Sequence, residues 1–114
     1  MRENKLADFS MNFAVNALNL ADKISNHYAL KNQFERSATS IGANIREANY
    51  AQSKADFSSK LQIALKECSE SEYWLELLIE SGYYEDLSIL NQCIEIKKLL
   101  IASINTARAN QNHL

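Results

Sequence analysis

Apolar residues recur along the chain at steps of three and four, the α-helical period, in four separate stretches. Leu6, Phe9, Phe13, Ala17, Leu20 and Ile24 predict a first helix over about residues 5–26. Met11, Ala14, Leu18 and Ala21 add a second, partly apolar strip, as on a helix that touches more than one neighbour. After a polar break at Ser25-Asn26-His27, the stripe Leu30, Phe34, Ala38, Ile41, Ile45 and Ala48 predicts a second helix over about residues 30–51. Ser53-Lys54-Ala55-Asp56 carries the Ser-x-x-acid signal of a helix start. The third helix runs from there to about residue 81, where Gly82 supplies a left-handed stop. Along it Phe57, Leu61, Ala64, Cys68, Ser71, Leu75 and Leu78 alternate steps of four and three, which is a bundle seam. Asp86 is the predicted N-cap of a fourth helix reaching about residue 109. Its wide apolar face runs from Leu87 and Ile89 through Cys93 and Ile96 to Leu100, Ile101 and Ile104. The polar tail Asn110-Gln111-Asn112-His113-Leu114 is expected to fray.

Composition narrows the fold. Proline is absent and glycine occurs only at positions 42 and 82, so tight-turn chemistry for a sandwich, barrel or hairpin fold is missing. The Gly-rich turns of a nucleotide-binding α/β protein are missing too. At 114 residues the chain makes one domain, residues 1–114. Four long amphipathic helices joined by short turns predict an all-α, antiparallel up-down-up-down four-helix bundle. Ala38 and Gly42, four apart, would permit a close helix crossing.

Twelve Lys plus Arg against fourteen Asp plus Glu give a net charge of −2, which does not favour a chain-wide grip on nucleic acid. The sign is uneven: residues 53–85 carry three positive and seven negative side chains. No uncharged apolar run is long enough for a membrane span, and Met1-Arg2-Glu3-Asn4-Lys5 does not open a signal peptide. A cytoplasmic protein without a membrane partner is expected. Cys68 and Cys93 read as small, reduced core residues, since there is no CxxC motif and no Cys/His cluster.

Candidate chemistry is sparse. A di-iron bundle needs Glu-x-x-His motifs, and neither His27 nor His113 follows a Glu at that spacing. No His or Lys is placed by pattern to activate a serine, and neither Arg36 nor Arg46 opens an Arg-x4-His motif. No catalytic activity, metal site, cofactor or small-molecule substrate is therefore expected.

A second strip on the third helix is more informative. Ile63, Glu67, Glu70, Trp74 and Leu77 keep the four-three step beside the seam. Acids mixed with large apolar residues suit an interface between protein copies, with the acids selecting the partner. Alternatively, Trp74 and Leu77 widen the core while the glutamates are solvated. Helix two carries the polar positions Arg36, Asn44 and Glu47 among its apolar ones. A turn near residue 52 would bring Arg36 level with Cys68 and within reach of Glu67 or Glu70, where a pair would fix register. Otherwise Arg36 snorkels to water. A turn near residue 84 would set Cys68 opposite about residue 100 rather than Cys93, so no disulfide is expected.

These residues also carry a resemblance. The run Arg36-Ser37, Ser40-Ile41, Asn44-Ile45 and Glu47-Ala48 resembles the hallmark of the four-helix-bundle family of 23S rRNA-intervening-sequence proteins. Ser53 to Phe57, Lys60 to Glu67, Glu70, Tyr73 to Leu78 and Ser81-Gly82-Tyr83 fit the same pattern. The resemblance spans about Leu6 to Arg108 and implies a left-handed up-down bundle that assembles as a homopentamer. It also implies a bacterial protein without a family-wide enzymatic activity. A related, strongly basic branch serves as accessory subunits of retroelement reverse transcriptases and binds nucleic acid. This chain lacks that basic character.

The sequence thus leads to a non-catalytic, self-assembling bundle with a structural or adaptor role. The alternative is an accessory factor that binds RNA, DNA or a reverse transcriptase as an oligomer. Its basic contributors would be Lys5, Lys23, Lys31, Arg46, Lys97, Lys98 and Arg108.

Overall fold

The computed structural model describes residues 5–112, and His113 and Leu114 of the tail lie outside them. Four helices make up the fold: α1 (Lys5–Ala21), α2 (Tyr28–Asn49), α3 (Lys54–Glu80) and α4 (Ser88–Asn112). No strand occurs among the described residues. The helices pack into a bundle 51 × 23 × 20 Å in extent. Each helix lies against its neighbours in sequence and α1 closes onto α4, while α1 and α3, like α2 and α4, face each other diagonally. The chain therefore forms a four-cornered ring of helices around one core.

The predicted stripes point inward. Phe13, Ala17 and Leu20 of α1, Phe34, Ile41 and Ile45 of α2, Leu61, Leu75 and Leu78 of α3, and Ile96 and Leu100 of α4 form that core. Residues placed in the stripes are not all inside. Phe9 of α1 and Leu87 and Ile101 of the fourth stretch are exposed. The apolar arc read for α4 is wider than the face its two neighbours can cover.

Helix ends follow local chemistry. The Ser53 side chain accepts a hydrogen bond from the Asp56 backbone N–H at 3.0 Å, the predicted cap of α3. Gly82 adopts φ +81°, the left-handed stop. The Asp86 carboxylate accepts from the Ser88 backbone N–H at 2.9 Å and opens α4. α1 ends at Ala21, short of the predicted residue 26. Its chain tightens there, with the Lys23 N–H bonded to the Leu20 carbonyl and Ile24 to Ala21. That turn tucks Ile24 back into the core without further helix. Asn26, at φ 72°, completes the reversal with a residue type that tolerates the left-handed region. At the other end of the chain α4 continues to Asn112, past the predicted end near residue 109.

Inter-helix pairs set the register. Arg36 in the first half of α2 meets Glu67 and Glu70 around the middle of α3, whereas Glu47 near the end of α2 meets Lys60 near the start of α3. Between α3 and α4 the sequence-based register needs correction. Cys68 faces Cys93, with the sulfurs 3.7 Å apart, not a residue near 100. The midpoint estimate treats the connection as helix, yet residues 83–87 carry none. Extended chain advances about 3.3 Å per residue against about 1.5 Å for helix, so a few such residues shift the pairing by several positions.

Candidate interaction surface

The outward strip of α3 is built on the heptad spacing of Ile63, Glu70 and Leu77, which places one residue every second turn on the same face. Ile63 and Leu77 are each 38% exposed, although the seam residues beside them are sealed. Trp74 lies partly buried against the core, so it belongs to both the core margin and the strip. Tyr73 stands beside it, edge to face, with ring centroids 5.1 Å apart. α3 thus carries an outer ridge of large side chains.

Glu70 is the hub of this surface. It receives both hydrogen bonds of the Arg36 Nη2 atom, at 2.6 and 2.7 Å, and the Trp74 indole N–H donates to Oε2 at 3.1 Å. Arg36 Nη1 donates to Glu67 at 3.0 Å. The guanidinium therefore bridges two carboxylates one turn apart, and the bridge ties α2 to α3 at the solvent surface. The Arg36 hydrogen bond holds the Glu70 carboxyl below its ordinary value, and Glu70 in turn raises Arg36. Of the two sequence readings, the paired Arg36 is the one observed, with both glutamates as partners.

The remaining polar positions have local roles. Asn44 donates to the Ser40 carbonyl at 2.9 Å within α2, and Glu47 pairs with Lys60 at 3.2 Å. Neither adjoins the Arg36 cluster. Three contacts were not read from sequence. Ser71 donates to Ser37 at 2.9 Å between fully buried side chains. Lys97 pairs with Glu72 at 2.8 Å, which raises Lys97 and engages one of the basic candidates. The third is the Cys68–Cys93 approach. Ser71 sat visibly in the seam, but nothing in one sequence says which serine faces it.

A second exposed apolar strip lies on α1, where Met11, Val15 and Leu18 are 53, 50 and 42% exposed. It borders a groove of about 830 Å³ between α1 and α2. Small residues line the groove, among them Ala7, Ser10, Ala14, Gly42 and Ala43, with Arg46 and Glu47 also in its wall. A groove of about 480 Å³ between the start of α3 and the end of α4 holds Phe57, Lys54 and Thr106. No group of three or more His, Cys, Asp or Glu side chains that could hold a metal ion occurs among the described residues. None of the described helices is long and apolar enough to cross a membrane.

Comparison with known proteins adds a family to this geometry. Residues 2–102 match the family described as 23S rRNA-intervening sequence protein. The chain is also similar to a crystal structure of a protein with unknown function from the S23 ribosomal protein family of Bacteroides thetaiotaomicron VPI-5482. Identity is 51%, the TM-score is 0.81, and the alignment covers 87% of this chain and 97% of that one. No curated protein matches the sequence.

Proposed function

Because this chain belongs to the 23S rRNA-intervening sequence protein family, we propose that it is a bundle without catalytic activity that works by assembling with copies of itself, in a structural or adaptor role. The observation that carries this reading is the pair of exposed apolar strips on α1 and α3. These two helices occupy opposite corners of the ring of helices. A two-fold dimer through one strip would leave the other in water. Joining the α1 strip of one copy to the α3 strip of the next uses both, and a rotation that closes gives a ring. A homopentamer is the ring suggested by the resemblance. The reading includes an antiparallel up-down-up-down bundle, supported for α2 and α3 by the crossed pairing of Arg36 with Glu70 and Glu47 with Lys60, with the left-handed turn that the resemblance implies. It also includes residence in the cytoplasm, where unpaired thiols persist.

Sedimentation equilibrium at micromolar concentration tests the proposal. A discrete oligomer is expected, and Ile63→Asp or Leu77→Asp should shift it toward monomer without loss of helical circular dichroism. A strictly monomeric wild-type chain would refute self-assembly.

A further inference from the structure

Cys68 and Cys93 occupy the seam between α3 and α4, each fully buried. Their sulfurs are 3.7 Å apart and both are free thiols. Each thiol donates to the main-chain carbonyl of the other residue, Cys68 to Cys93 at 3.3 Å and Cys93 to Cys68 at 3.4 Å. The two backbones are therefore separated by little more than one cysteine side chain. The sulfurs need to close by about 1.7 Å to reach bonding distance.

We propose that Cys68 and Cys93 form a latent redox pair that hydrogen peroxide closes into an intramolecular disulfide, stapling α3 to α4. One thiolate attacks the peroxide oxygen and becomes a sulfenic acid, releasing hydroxide. The second thiolate then attacks that sulfur, the S–S bond forms and a second hydroxide leaves. Two thiols are oxidised by two electrons and one peroxide is reduced to two waters. A water-sized oxidant suits the site, because entry requires only local opening of the seam rather than a surface cleft. The contact with Cys68 and burial push the Cys93 thiol up, which makes reaction slow in the resting state. The consequence of closure is mechanical. α4 follows α3 through the non-helical residues 83–87, so side-chain packing and the Lys97–Glu72 pair hold its register until the sulfurs bond.

The cysteines share one tryptic peptide, residues 67–97, which contains no methionine. Folded wild-type protein is treated with hydrogen peroxide, its free thiols are alkylated in denaturant, and this peptide is weighed. Oxidation of free methionine added to the mixture serves as the internal sign that peroxide has acted. The expected peptide is unalkylated and about 2 Da lighter than the reduced one, and dithiothreitol restores both alkylation sites. Closing a loop over the 25-residue separation should raise Tm by about 10 °C. Cys68→Ala and Cys93→Ala should each abolish both changes. The proposal is overturned if the added methionine is oxidised while both thiols remain alkylatable. Sulfinic or sulfonic products without the bridged peptide would overturn it equally, as would cross-links only between chains. The wild-type peptide decides these outcomes even if a single variant folds poorly.

Discussion

Gly42 of α2 lies so close to Ser10 of α1 that a Cβ built on the glycine would stand 3.2 Å from the serine Oγ. The hydroxyl itself donates to the Ala7 carbonyl at 3.1 Å, which fixes its position. The glycine thus marks a close approach of α1 and α2, and its cost in helix propensity, about 1 kcal/mol relative to alanine, is offset by that crossing.

A double-mutant cycle separates these effects. Gly42→Ala in the wild-type background should give little of the propensity gain, because the methyl group crowds Ser10. In a Ser10→Ala background the same change should recover most of about 1 kcal/mol. Urea unfolding of the four proteins measures the difference, and equal effects in both backgrounds would contradict the crossing argument.

The buried hydroxyl pair of Ser37 and Ser71 predicts non-additivity of the same sign from a different cause. Ser37 also donates to the Phe34 carbonyl at 3.2 Å, so it keeps one partner when Ser71 is lost. Ser71→Ala should cost about 1 kcal/mol. The double change to alanine should cost less than the sum of the two single changes, since no lone hydroxyl is then left between α2 and α3. Chemical denaturation again supplies the numbers.

Glu70 gives the bundle a pH dependence with a defined sign. Its folded-state pKa is lowered, first by the Arg36 hydrogen bond, from an ordinary value of 4.5. A depressed carboxyl binds protons less readily in the folded state than in the unfolded one, so its contribution is present above the ordinary value. It is lost as pH falls through the lower folded-state value. Trp74 is the single tryptophan and its indole donates to this carboxylate, so its fluorescence should titrate in the same range. Glu70→Gln should remove that titration, and high salt should weaken the stabilisation because Arg36 is solvent-exposed.

Gly82 makes a purely conformational prediction. Nothing lies within 4 Å of a Cβ built there, yet φ is +81°. Gly82→Ala should therefore destabilise by about 1–2 kcal/mol through backbone strain alone. Thermal melts of this variant and of Gly82→Asn, which tolerates the region better, should rank asparagine above alanine.

What the sequence disclosed depended on how local each feature was. The α3 seam was legible because a regular helix needs nothing beyond spacing, and every seam residue from Leu61 to Leu78 is buried. Caps at Ser53 and the stop at Gly82 were legible for the same reason: their partners lie within a few residues. The Arg36 bridge could be anticipated because the α2–α3 turn is short. Between α3 and α4 the longer, non-helical connection broke the estimate, and the cysteine contact was missed with it. The end of α1 escaped because Ile24 keeps the apolar period after the helix has stopped.

Tyr83 joins two reversals of the chain. Its hydroxyl donates to the Ser25 carbonyl and its ring meets His27 edge to face, with centroids 5.3 Å apart. The α1–α2 and α3–α4 connections are thereby clasped together. At the opposite pole the start of α1 lies beside the end of α2, and the end of α4 beside the α2–α3 turn, so both described chain ends gather there. One pole is laced and the other open. Amide exchange should accordingly form a gradient, fastest in the first turn of α1 and the last turns of α4 and slowest toward the tyrosine. Tyr83→Phe should flatten that gradient by loosening the laced pole.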